Sequence, residues 1–88
     1  MARQLEEKGG LKFLLSEVQT GLMFAGLAIS ARANQTEKIE RNTRNARAAY
    51  DSILRFRGRV ALDLQATKKL NAGVKRLKTA LQRLGGSV

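Results

Sequence analysis

Cysteine, histidine, tryptophan and proline are all missing from this sequence, and its only aromatic residues are one tyrosine and three phenylalanines. Without cysteine there is no disulfide framework and no thiolate nucleophile, and without histidine there is no imidazole base near neutral pH. Lacking both, the chain has no soft-metal ligand set, and no cofactor is expected. Acidic residues are also scarce, seven against seventeen lysines and arginines. Glu37 and Glu40 stand three apart, the spacing of a carboxylate metal pair, but Arg41 and Arg44 beside them point to salt bridging instead. Ser16, Ser30 and Ser52 have no triad partners, and no glycine loop of the phosphate-cradling kind occurs. An enzyme is not expected.

Long hydrophobic runs are missing too. The most apolar stretch, Gly21 to Ala33, reaches about two-thirds of the ~20 residues that a membrane span needs. Extending it backwards takes in Lys12, Glu17, Gln19 and Thr20, each costly in lipid. The first ten residues lack the apolar core of a secretory signal. Asn34-Gln35-Thr36 matches the N-glycosylation pattern, which has no role without such a signal. No membrane span and a cytoplasmic location are the expectations.

What is present is helical periodicity in a chain short enough for a single domain, residues 1–88, with one core. A hydrophobic fraction of 43% beside 27% charged residues is globular composition. Gly9-Gly10 marks the end of a flexible N-terminal arm (residues 1–10). From there Leu11, Leu14, Leu15, Val18, Leu22, Ala25 and Ile29 recur at helical spacing. Asn34 is the candidate N-cap of the next helix, with Glu37 completing a capping box. That helix carries Ile39, Thr43, Ala46, Tyr50 and Ile53 and ends near Gly58. Arg59 to Leu62 reads as a connection, and Asp63 as an N-cap. Leu70, Val74, Leu77, Leu81 and Leu84 form the third seam, and Gly85-Gly86 stops it ahead of a short tail (residues 85–88). The expected fold is all-α, an antiparallel three-helix bundle over approximately 11–33, 35–57 and 63–84, with self-association able to complete it. Whether the first helix breaks at Asn34 or runs on is open at this level.

Within Asn45-Ala46-Arg47-Ala48-Ala49-Tyr50-Asp51-Ser52-Ile53-Leu54, the pattern Ala46-x-x-x-Tyr50-x-x-Ile53 resembles the second helix of a tetratricopeptide-type hairpin. It is similarly compatible with three-helix modules of the microtubule-interacting-and-transport type. The resemblance covers about ten residues, without the 34-residue repeat of an array. It implies a helical protein–protein module in which a small residue admits the neighbouring helix.

Two features bear on function. The first helix has a second apolar face, made by Phe13, Met23, Phe24, Leu27 and Ala31, roughly opposite the main stripe. Either the two companion helices cover both faces, or the second is a self-association surface. Gly21 and Gly26 lie in the same helix at about 1 kcal/mol each in propensity, a cost that close helix approach would justify. The second feature is charge asymmetry. Residues 1–40 hold five basic and five acidic side chains, whereas residues 41–88 hold twelve and two, the whole of the net charge of +10. Glu37–Arg41, Glu40–Arg44, Arg47–Asp51 and Asp51–Arg55 all sit at i,i+4, so the second helix partly answers its own arginines. Arg55, Arg57, Arg59, Lys68, Lys69, Lys75, Arg76, Lys78 and Arg83 are left to face a polyanion such as RNA, DNA or an acidic protein. Most of the aromatic residues lie on apolar faces rather than interleaved with them, which argues against base reading. The leading expectation is a non-enzymatic helical interaction or scaffold module, self-associating or holding a helical partner. A basic protein that binds nucleic-acid backbone is the alternative.

Overall fold

The structure, a computed structural model, describes residues 9–86. The expected arm and tail therefore lie largely outside the described residues. Three α-helices account for almost all of the described chain: α1 (Gly10–Ser30), α2 (Thr36–Phe56) and α3 (Leu64–Arg83), with a 3-10 turn at Arg57–Arg59. They form the expected all-α three-helix bundle. Gly21 of α1 meets both Ala49 of α2 and Leu77 of α3, and Gly73 meets Val18. Phe13, near the start of α1, touches Phe56 at the end of α2. α1 therefore runs antiparallel to α2 and alongside α3 in the same direction, an up-down-up order that short links impose.

The core is a set of three interdigitated seams. α1 buries Leu14, Val18, Gly21, Ala25 and Ala28. α2 buries Ala46, Ala49, Tyr50 and Ile53 together with Asn42. α3 buries Leu70, Gly73, Val74, Leu77 and Leu81. In α1 the spacing is three or four residues throughout, and in α2 and α3 it is the same except at the adjacent pairs Ala49–Tyr50 and Gly73–Val74, which keeps one stripe turned inward at about 100° per residue. The α3 seam is the one expected from the sequence, with Leu84 half-buried at its end. In α1 the expected stripe is displaced. Ile29 is 37% exposed, and Leu11, Leu15 and Leu22 are half-buried on one shoulder. Small residues replace them at the centre, because three helix axes converge on α1 and leave no room for leucines there. A Cβ on Gly21 would come within 2.6 Å of Leu77 Cδ2 and 3.2 Å of Ala49 Cβ. Close approach is thus what offsets the propensity cost of this glycine.

The links repay attention because they set the helix ends. α1 breaks after Ser30, where Ala31 turns to an extended conformation. Asn34 does not cap α2, and no capping box forms. The N-cap position is Gln35, which makes no side-chain cap bond to the helix. Gln35 instead closes the link on itself. Its Oε1 accepts from the Arg32 N–H at 3.1 Å, while its own N–H donates to the Arg32 carbonyl at 2.9 Å. α2 passes into the 3-10 turn one residue before Gly58. Val60 and Leu62 of the second link pack back onto the core. Asp63 caps α3 as expected, its Oδ1 accepting from the Ala66 N–H at 2.7 Å. At the far end Gly85 takes a φ of 84°. The Gly86 N–H donates to the Leu81 carbonyl at 2.8 Å and the Gly85 N–H to that of Gln82 at 3.0 Å. These two bonds form a Schellman stop, for which only glycine is unstrained.

Candidate interaction surfaces

α1 packs against both other helices and still leaves large apolar side chains exposed. Of the residues in its most apolar 18-residue window, 28% are buried, and the helix is long and apolar enough to cross a membrane by length and composition. Its Leu14–Ala28 seam nonetheless supplies one wall of the core. Outside that seam, Phe13 is 44% exposed, Met23 54% and Leu27 40%. Two members of the expected second face are placed differently. Phe24 is half-buried and packs against the core cluster, because at about 100° per residue it falls nearer α2 than its sequence neighbours do. Ala31 lies just beyond the helix and is half-buried. The residues missed by the sequence reading lie between the exposed ones. Phe13, Ser16, Thr20, Met23, Leu27 and Ser30 follow one another at intervals of three and four, a second seam on the side of α1 away from the core. Thr20 is half-buried and the other five are exposed. The spacing was visible in the sequence, but the hydroxyl residues disguised it as polar surface.

The cationic residues do not gather into one site. Arg55, Arg57 and Arg59 crowd the end of α2 and its 3-10 turn, and all three are exposed. On α3, Lys68, Lys69, Lys75, Arg76, Lys78 and Arg83 are exposed. They spread over the whole outer half of the helix rather than along one ridge. Lys69, Arg76 and Arg83 recur every seven residues and form one column, with Lys68 and Lys75 in another about 100° away. Of the four i,i+4 pairs expected on α2, one closes: Arg47 Nε to Asp51 Oδ1 at 3.2 Å. Glu37–Arg41, Glu40–Arg44 and Asp51–Arg55 stay open beyond ion-pair distance. These side chains are exposed, and at such sites the entropy of holding two long side chains together offsets most of the attraction. One aromatic, Phe56, sits among the cations. The Arg59 guanidinium lies 5.6 Å from the Phe56 ring centroid. Phe56 in turn meets Phe13 edge-on, with centroids 5.9 Å apart.

A shallow groove of about 430 Å³ separates the first half of α2 from the end of α3. Ile39, Leu81 and Leu84 line it, with Arg44 and Arg47 among its polar residues. Thr43 Oγ1, also on the groove, is buried and has no hydrogen-bond partner. Among the described residues no group of three acidic, histidine or cysteine side chains is placed to hold a metal ion. The chain matches no protein family, no curated protein and no solved structure.

Proposed function

We propose that this chain is a non-enzymatic helical interaction module that self-associates through the outward face of α1. The observation that carries the reading is the exposure of Phe13, Met23 and Leu27, at 40% or more each, on a helix whose opposite side already builds the core. Large apolar side chains left exposed along one helix face mark interfaces, and a bundle of this size gains stability by burying more of them. Sedimentation from low to high micromolar concentration tests the reading. Wild-type protein is expected to shift from monomer to dimer, and Leu27→Glu to hold it monomeric at every concentration. A wild-type chain that stays monomeric throughout, with a profile that Leu27→Glu leaves unchanged, removes the reading.

A second reading is binding to a polyanion through α2 and α3. It is favoured by Arg41, Arg44 and Arg55, which close no ion pair among the described residues. Phosphate contacts release counterions, so RNA or DNA affinity should fall steeply between about 50 and 200 mM salt. Binding indifferent to salt speaks against it.

A further inference from the structure

The second seam of α1 carries more information than its exposure. Reading along Phe13, Ser16, Thr20, Met23, Leu27 and Ser30, three positions are large and apolar and three are small and hydroxylated. Reversed and laid against itself, the seam pairs Phe13 with Ser30, Ser16 with Leu27 and Thr20 with Met23. Every layer then sets one large side chain against one small one, which is how facing helices interdigitate without voids or clashes. A parallel, in-register pairing does the opposite. It stacks Phe13 on Phe13, Met23 on Met23 and Leu27 on Leu27, and leaves serine facing serine.

We infer that two copies of this chain pair through α1 in antiparallel register, with the two-fold axis beside Gly21 and Leu22. This rests on the self-association reading and adds the partner's orientation and register. Charge supports a second copy as the occupant. Within α1 the only charged residues are Lys12 and Glu17, whereas the net charge of +10 resides in residues 41–88. The α1 face is therefore where two such molecules meet without stacking like charges. Antiparallel pairing also separates the two Lys12 side chains and aligns the helix dipoles favourably. The hydroxyl residues along the seam suit helix packing better than hydrocarbon, so a lipid surface fits it less well. The two-fold operator closes the assembly as a dimer rather than a filament. A single-helix seam is smaller than the ~800 Å² per partner of a standard interface, so dissociation is expected in the micromolar range.

The native chain has no cysteine, so disulfide trapping reads the register directly. Ser16→Cys and Leu27→Cys are each prepared alone and then mixed in equal amounts under mild oxidation, with circular dichroism confirming the helical fold. In the antiparallel register, like positions sit about 16 Å apart along the axis, too far for a disulfide's Cα separation of about 4.4–6.8 Å. Neither variant is expected to cross-link alone, and the mixture is expected to give a covalent heterodimer at least tenfold in excess of either homodimer. Homodimers from each variant alone indicate parallel pairing and overturn the register while leaving self-association standing. The same holds if only Leu15→Cys, on the other shoulder of α1, cross-links. No cross-link at any position, with monomeric sedimentation, overturns both. Should that monomer sediment with vesicles of phosphatidylglycerol and phosphatidylcholine, the seam belongs to a lipid surface instead.

Discussion

α1 and α3 are nearly equal in length and lie side by side in the same direction, yet they solve opposite problems. α3 has one apolar seam, enclosed from Leu70 to Leu81, and its solvent side carries six cations and no acid. α1 has one enclosed seam, a second open one, and Lys12 and Glu17 as its only charges. A helix with one stripe finishes its packing inside the subunit, and its remaining circumference is free to be charged. A helix with two stripes finishes only half of it there. Enclosed surface of the α3 kind supplies stability, open apolar surface of the α1 kind is what the proposed association would use, and the cations of α3 lie outside the packing of the bundle.

The largest effects are expected at the shared core. Leu77 is fully enclosed, whereas Leu64 on the same helix is 71% exposed. Leu77→Ala is expected to cost about 2–5 kcal/mol in chemical denaturation, and Leu64→Ala less than about 0.5 kcal/mol. Equal costs would mean the α3 seam is not the core. Next come the two glycines of α1. Gly21→Ala drives a Cβ into Leu77 and should destabilise by about 1–3 kcal/mol despite alanine's better propensity. Gly26 has nothing within 4 Å of a Cβ, so Gly26→Ala should stabilise by roughly 0.5–1 kcal/mol. Thermal melts that move in opposite directions sharpen the contrast between the two faces of one helix.

Smaller effects separate association from stability. Met23→Ser is expected to weaken dimerisation about tenfold in sedimentation, roughly 1.4 kcal/mol, while changing the stability of the monomer little. A mutant that melts earlier yet dimerises normally would place Met23 in the wrong class. Asp63→Ala removes the α3 cap and should cost about 1 kcal/mol, with no effect on association. Least of all, Asp51→Ala should cost no more than about 0.5 kcal/mol, since its pair with Arg47 is half-exposed and screened by water.

Much of this molecule was legible residue by residue. The α3 seam, the Asp63 cap and the Gly85-Gly86 stop each follow from a local rule that needs only the nearest few residues. The break between α1 and α2 was not, because no proline or glycine marks it. It depends on Gln35 folding back on Arg32, a long flexible side chain whose choice of partner has no pattern in the sequence. The α1 core seam was legible in part, at Leu14, Val18 and Ala25, and the rest was hidden for a different reason. Leucines promise burial, but the position nearest two other helices admits only glycine and alanine. The open pairs on α2 show the same limit, since i,i+4 spacing permits an ion pair without compelling one.

Helix number, helix ends governed by caps, and the division of charge between the two halves of the chain were determined by the amino-acid order alone, because each arises from near neighbours or from simple counting. Which side of α1 faces inward, and therefore which residues remain outside, was decided only when three helices competed for the same volume. Periodicity specifies a stripe, but a helix with two stripes needs its neighbours in place before one of them becomes the core.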